Sequence, residues 1–461
     1  MKTKIDSFTV SRVLHAGYLF RAAGESILMD PVFETPFSHN CYPFPAVQFI
    51  ESELAKIQVD AIFISHVHDD HLCFKSLNRI QRHIPIYLYA EEPIYFQMLK
   101  QLGFENVFRL DVDQPVKIGK HFQVTPRLAL DPQVDSLFHI QIDDFNILNV
   151  VDSWVDPKAL QQMQDVKQWD LVLWPFQTMR EVQVLSPNRT SREKEIPEEW
   201  GEILKELNPR YTVPSSCQFI HEPWSWYNSA LFPISYREFK TWLSDLLPQT
   251  TYLRVDPAQS FIVSHAQVQE VEPLSWLRRL DQSSTQHELD YQYDPNHAPT
   301  PLGKIADQLL PLSLTERQFI LDYCQSELVD LLAQKSESLG CLVQDQCLWK
   351  LVLHESSENG KPNKYEFLYS ISETTVTLEK DQNKSEVTWL TEIPIQKLYS
   401  SLTTGETLTS LYIRINDIIF SDPIEKALQE IDILEDPLIR ILFDGKSHRY
   451  HEQQLKDLGL S

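Results

Sequence analysis

Short apolar runs separated by glycine-bearing turns dominate the first half of the chain. Residues 7–31, SFTVSRVLHAGYLFRAAGESILMDP, have the composition and punctuation of short strands joined by turns. VDAIFIS (59–65) is a compact apolar run of the length of a buried strand. FKSLNRIQRHI (74–84) spaces its apolar residues as a helix does, and IPIYLYA returns to strand. PIYFQMLKQLGF is helical, with Gly103 placed to cap its C-terminus. HFQVTPRLAL (121–130), SLFHIQIDDFNILNVVD (136–152) and WDLVLWPF (169–176) favour strand. EEWGEILKELNP favours a helix stopped by Pro209, and RYTVPS one more strand. Strands alternating with helices over this distance predict a layered α/β domain.

The pattern changes at RLDQSSTQHELDYQYDPNHAPTPLGK (279–304), a polar, proline-containing stretch that reads as a linker. Beyond it, IADQLLPLSLTERQFILDYCQSELVDLLAQ is helical and amphipathic. CLWKLVLHE, YEFLYSISETTVTLEK and SEVTWL are strand-like, and IPIQKLYSSLTTG is a helix ending at Gly405. The expected organisation is a domain over 1–278, a linker over 279–303 and a smaller α+β domain over 304–461. No internal repeat or low-complexity tract stands out.

Composition narrows the function. With 461 residues, 42% hydrophobic and 11% aromatic, the chain can bury more than one core. Its formal net charge of −24 argues against nucleic acid or an anionic membrane as a partner, although a local basic pocket could hold a small anion. The six cysteines are scattered without a C-x-x-C pair, as in a reducing compartment. The N-terminal MKTKIDSFTVSRV lacks the apolar core of a signal peptide, and no apolar run reaches the roughly 20 residues of a membrane span. The expectation is a cytoplasmic protein acting on a small molecule; nothing fixes its oligomeric state, and a homo-oligomer is compatible with the sequence.

The chemistry concentrates in AIFISHVHDDHLCF (61–74), which places His66, His68, Asp70 and His71 in six positions after a buried strand. Imidazole and carboxylate are the usual ligands of zinc, manganese and iron. Two histidines two apart in an extended segment point to one side, and the turn that follows can bring Asp70 and His71 to a neighbouring position. Crowded without a cation, these groups would repel one another or lack partners. A histidine-rich surface loop is the bland alternative, and the spacing and strand-then-helix context oppose it. His15 in LHAGY could approach the site from an early strand, although a satisfied structural histidine is the commoner role, and Cys73 reads as a small buried apolar residue.

This H-x-H-x-D-H stretch resembles the signature of the metallo-β-lactamase superfamily. LHAGYLFRAAGESILMDPVF resembles that family's opening strands, ending in Asp30-Pro31, and NILNVVDSW resembles the strand that ends in a metal-bridging carboxylate, here Asp152. The resemblance implies a four-layer αββα sandwich holding one or two divalent ions (Zn, Mn or Fe), in a family made up mostly of hydrolases that use a metal-activated water. Two family histidines have no counterpart. TPRLALDPQVDSLFHI offers Asp131 and Asp135 for the first, with His139 inside a strand, and Asp131 is taken as the substitute because it follows its strand directly. YTVPSSCQFIHE offers only His221 for the second. The expected metal ligands are therefore His66, His68, Asp70, His71, Asp131 and Asp152, with Asp70 also the catalytic group that orients or deprotonates the water. His221, Trp224 and Trp226 are candidates to line a substrate pocket, although core packing is the commoner role for such aromatics.

Residues 8–240 also resemble the non-Rieske part of the CMP-N-acetylneuraminate hydroxylase group, through SHVHDDHLCFKSLNRIQRHIPIYLYAEEPIY and LNPRYTVPSSCQFIHE. The chain has no C-x-H and C-x-x-H pairs to hold a Rieske cluster, so that group's own activity is not expected of it. In the C-terminal region, YSISETTVTLEKDQNKSEVTWLTEIPIQKLYSSLTTGETLTSLYIRINDI (369–418) more loosely resembles the sterol-carrier-protein-2-like fold, which would enclose an apolar ligand; a plain α+β dimerisation or interaction domain fits its pattern equally. A metal-dependent hydrolase is the leading expectation. An iron-dependent oxygenase fed by a separate electron donor, and a non-catalytic binding protein with a decayed site, are the alternatives.

Overall fold

The computed structural model describes residues 4–178, 196–280, 289–335, 347–358, 361–372, 375–380, 387, 389–406, 414–416, 436–443 and 448–460. Residues 281–288 of the expected linker, and much of the stretch likened to a sterol carrier, lie outside these.

Two sheets face each other. From edge to edge the first runs Val268–Val271, Ser260–Ser264, Ser7–Arg12, Tyr18–Ala22, Glu25–Met29, Ala61–Ile64, Ile86–Leu88 and Val107–Arg109. The second runs Thr251–Tyr252, Tyr211–Ser215, Leu171–Pro175, Phe145–Asn149, Ser136–Ile142, Phe122–Leu128 and Val116–Ile118. The layering follows from the two-residue period of a strand. Phe20, Ile27, Met29, Ala61 and Phe63 point inward, against Phe138, Ile140, Ile147, Leu171 and Leu173 of the facing sheet. Their neighbours Leu19, Leu28, Ile62 and Ile64 point outward, under the helices. Edge-to-face pairs tie the sheets together, Phe8 on Phe145 at 5.2 Å and Phe63 on Phe138 at 6.1 Å between ring centroids. A sheet apolar on both faces must be covered on both, which is the four-layer α/β sandwich expected.

The helix expected over 74–84 is one turn, Phe74–Leu77. Arg82 ends it: its guanidinium donates to the carbonyls of Leu77 and Ile80, acceptors that a longer helix would have used internally, and to that of Leu102 after the next helix. The helix Pro93–Gln101 ends as expected, with Gly103 at φ +103°, a conformation that favours glycine.

Further along, a five-stranded sheet has the order Val376–Leu378, Lys361–Ile371, Cys347–Glu358, Trp389–Pro394 and Arg414–Asn416. The long helical stretch expected after the linker is three helices, Leu302–Ala306, Leu314–Gln325 and Glu327–Gln334. Ser313 caps the second through a reciprocal pair of bonds with Glu316.

The last helix, Arg449–Asp457, docks on the histidine-rich loop from behind. His451 donates from Nε2 to the carbonyl of Leu72 (2.8 Å), Gln454 accepts from the Lys75 amide (3.1 Å), and Lys75 pairs with Asp457 (2.9 Å). The His451 ring packs against Phe74 and Tyr95. His451→Ala leaves a cavity and an orphaned carbonyl and is expected to cost roughly 2–4 kcal/mol of stability, read from the midpoint of a urea titration. An unchanged midpoint would show that this helix does not support the loop.

Candidate metal centre

The strand Ala61–Ile64 delivers its chain to Ser65 and His66, both fully buried, and the loop then turns outward so that His68 is exposed. His66 Nε2 and His68 Nδ1 stand 2.9 Å apart. Two nitrogens sharing one tetrahedral ion at bonds of about 2.1 Å would lie at roughly 3.4 Å, a small adjustment away. Asp135 Oδ1 is 3.6 Å from the same His66 nitrogen.

A second group forms alongside. His71 Nε2 lies 2.9 Å from Asp152 Oδ2 and 3.7 Å from Asp70 Oδ1. His15 Nε2 lies 3.0 Å from Asp70 Oδ2 and 3.6 Å from Asp152 Oδ2. Asp152 belongs to both groups: its Oδ2 faces His71 and His15, and its Oδ1 faces His66 at 4.0 Å. Among the described residues, that buried Oδ1 has no hydrogen-bond partner. A buried carboxylate oxygen left unpaired is costly, and a cation between the groups would satisfy it. By donor type and convergence the residues fit one or two divalent ions.

Outer partners fix two of the rings. Asp30, 1% exposed, accepts from the Ser65 amide and the Ser65 hydroxyl, both at 2.8 Å, and lies 3.1 Å from His71 Nδ1. His71 Nδ1 therefore carries a hydrogen toward Asp30, and its Nε2, hydrogen-bonded to Asp152 Oδ2 at 2.9 Å, faces the cluster as the nitrogen whose proton a cation would replace. Ser65 spends its only proton on Asp30, so its oxygen must accept from His66 Nδ1 at 3.0 Å, and the His66 Nε2 lone pair also faces the cluster. One buried aspartate thus sets the tautomer of two imidazoles.

The electrostatics match. Burial, then the neighbouring His71, holds His66 well below the usual histidine range. Burial opposes charge on His71 too, but Asp152, Asp70 and Asp30 outweigh it and raise that ring well above the range. Asp135 is pushed up to about 6 by burial and by Asp152. Carboxylates that so favour a proton on His71 would also favour a divalent cation.

The backbone is strained here. His15, Asp30, Val151, Ser216 and Cys217 all have positive φ without being glycine, and such conformations persist where the surrounding structure over-determines them. Ser216 donates from its hydroxyl to the carbonyl of Val151, tying together the ends of the two strands that flank Leu171–Pro175. A Cβ on Gly17 would meet the Asp30 carbonyl oxygen at 2.9 Å, so the hairpin carrying His15 approaches Asp30 only because residue 17 is glycine.

Of the residues singled out from the sequence, His66, His68, Asp70, His71 and Asp152 come together. Asp131 does not. It is exposed, and it opens the turn to Asp135 by accepting from the Gln133 amide on Oδ1 and from the Val134 and Asp135 amides on its carbonyl. The turn faces Asp135, four residues on, into the cluster instead. His221 is buried against Phe219 and Tyr227 and lies outside both donor groups. Trp226 is buried beside Tyr227, and Trp224 packs on the core. His139 is held in its strand by Asn146 at 3.0 Å. His15, read as structural, lies in the site; the available signal was its place in a tight turn between two strands. Cys73 is buried as expected, its thiol pushed up to about 12 by burial and Glu34.

Residues 9–216 match a family described as the beta-lactamase superfamily domain. A protein of Mycolicibacterium smegmatis named for a Rieske 2Fe-2S iron–sulfur centre is 32% identical over 130 residues, 28% of this chain and 24% of that protein. The human inactive cytidine monophosphate-N-acetylneuraminic acid hydroxylase is 31% identical over 102 residues, 21% of this chain and 20% of that protein. The chain thus spans about a quarter or less of these relatives' length. Among solved structures, the metallo hydrolase Igni18 of Ignicoccus hospitalis is 16% identical, with 56% of this chain and 99% of that one covered and a TM-score of 0.39. CmlA, a diiron β-hydroxylase from Streptomyces venezuelae, is 16% identical, with 59% and 55% covered and a TM-score of 0.38.

Proposed function

Because the chain belongs, through residues 9–216, to the metallo-β-lactamase superfamily, we propose that it is a metal-dependent hydrolase acting on an ester, amide or phosphodiester of a small molecule. The observation that carries this reading is the position of Asp152, one oxygen facing each of two donor groups. His66, His68 and Asp135 would hold one ion; Asp70 and His71 would hold the other; Asp152 would bridge. A bound divalent ion supplies an acidified water and a Lewis acid for the attacked oxygen. The chain's own part is to orient. Asp70 sits at the partly exposed edge of the cluster, where it can align a water and take its proton. The buried network of Asp30 and Ser65 holds the ring nitrogens in place, so little reorganisation is needed when charge develops.

A second reading is iron-dependent oxygen chemistry with a separate electron donor. It is favoured by the carboxylate-rich donor set Asp70, Asp135 and Asp152, since hard oxygen ligands suit iron and manganese better than zinc. Two measurements separate the readings: elemental analysis of protein purified without added metal, and turnover of ester, amide and phosphodiester panels with and without oxygen. The hydrolase reading expects about two divalent ions per chain and chelator-sensitive hydrolysis at an unchanged rate under argon. Metal-loaded protein that turns over only in oxygen would replace it with the second reading. Metal-free protein would sink both.

A further inference from the structure

A cavity of about 600 Å³ opens at the side of the sandwich, and none of its walls is a donor of the metal centre. One wall is the helix Tyr236–Leu246, which brings Tyr236, Arg237 and Lys240 to it. Residues three and four apart share a helix face, so these three stand together. A second wall is Tyr252, Leu253 and Arg254, at and just beyond the edge strand Thr251–Tyr252, with Phe261 of the other sheet. The buried Asp256 stands between this cavity and the metal centre. It accepts from Arg254 Nε (2.8 Å) on one side and from Gln218 Nε2 (2.6 Å) on the other, and Gln218 follows Cys217, whose amide donates to His15 Nδ1.

The charges around the cavity do not cancel. Asp290 also lines it, but its carboxylate is spent on the helix start, accepting from the amides of Tyr236 (2.7 Å), Arg237 (3.2 Å) and Tyr291 (2.9 Å). The exposed Glu270 accepts from Gln259 Nε2 (2.9 Å). Among the described residues, neither Arg237 nor Lys240 is in an ion pair, and Lys240 holds its ammonium 5.9 Å from the centre of the Tyr252 ring. Two uncommitted cations at one cavity stand out in a chain of net charge −24. Arg254 is committed, but only at its edge and on one face. Its Nε bonds Asp256, its Nη1 donates to the Leu289 carbonyl (2.8 Å), and its guanidinium carbon lies 3.8 Å from the centre of the Tyr236 ring. What it can offer the cavity is its stem and its other flat face, and a flat, weakly hydrated cation is a stacking surface for an aromatic ring. We propose that this cavity is a second ligand site, for a small aromatic anion whose ring lies against Arg254, Leu253 and Phe261 and whose charge meets Arg237 and Lys240. Its volume is that of an ordinary small-molecule site. The proposal does not depend on the metal-binding reading.

The test is calorimetric titration of the full chain with 2-naphthoate, both as purified and after treatment with a chelator, with circular dichroism to verify the fold. Saturable one-to-one binding is expected in both preparations. Lys240→Glu and Arg237→Glu reverse exposed charges without touching the core, and each should weaken that binding by about tenfold or more. The saturated decalin carboxylate has no π-face for Arg254 and should bind more weakly, and naphthylmethylamine, a cation, should not bind. Binding to wild type that is lost from folded protein on chelation would place the anion on the metal and overturn the proposal. So would binding unchanged in both charge reversals, or equal binding of the saturated analogue. A dissociation constant above about 10 mM for 2-naphthoate would show that the cavity is no site for such a ligand.

Discussion

In Asp152→Ala protein, divalent metal retained through purification should fall by at least one ion per chain, and affinity for the remaining ion should drop by about 100-fold or more. The expectation follows from the residue's double role. Its Oδ2 faces His71 and His15 and its Oδ1 faces His66, so one truncation removes a donor from both groups. Losing an outer-sphere partner of a metal ligand commonly costs 10–100-fold in affinity, and a ligand shared by two ions should cost more. What remains is three imidazoles facing one another with less negative charge between them, an arrangement that repels a divalent cation. Asp152→Asn keeps the shape and one acceptor and should fall between the two. The readouts are elemental analysis and competition against a chromophoric chelator, with circular dichroism to verify folding. Folded Asp152→Ala with wild-type metal content would mean that the two donor groups do not share an ion-binding carboxylate.

Asp30 should be nearly as sensitive, although nothing places it among the ligands. Its carboxylate accepts from the Ser65 amide and hydroxyl and faces His71 Nδ1. Asp30→Ala orphans these buried donors at once, which at about 1–3 kcal/mol each amounts to several kcal/mol of stability. It also removes the group that sets the His71 tautomer and, through Ser65, that of His66. A further loss of about 10–100-fold in metal affinity is therefore expected. Asp30→Asn separates the two effects. Its carbonyl can still accept from the Ser65 amide, so much of the stability should return. Its NH2 presents donors where Ser65 and His71 need an acceptor, so metal affinity should stay low. Urea unfolding and zinc competition on both variants test this, and Asp30→Asn with wild-type zinc affinity would sink it.

How much of this was legible in the sequence depended on whether the signal was local. The strand before the histidine loop is four apolar residues in a row, and the loop carries His66, His68, Asp70 and His71 within one turn. Chain connectivity alone brings such neighbours together. Asp152 was legible as well, because it follows the strand Phe145–Asn149 at the end where parallel strands deliver their loops. Both layers of the sandwich were written in the two-residue alternation and in the apolar runs.

The choice between Asp131 and Asp135 was not local. Both lie in one turn, and which one faces inward depends on which amides the turn closes upon; Asp131 is used up in making the turn. His15 is separated from His66 by half a hundred residues. Nothing near it in sequence says that Arg12 and Gly17 will hold its hairpin against Cys217 and Asp30. His221 and Trp226 carried the right chemistry for a pocket but went into the packing around Phe219 and Tyr227. The sequence by itself determined the strands, the histidine loop and the carboxylate at the strand end, because each is set by neighbours along the chain. Only the tertiary structure decided which distant groups complete the site and which nitrogen of each ring carries the hydrogen, because those depend on hydrogen bonds between segments that meet only when the two sheets pack.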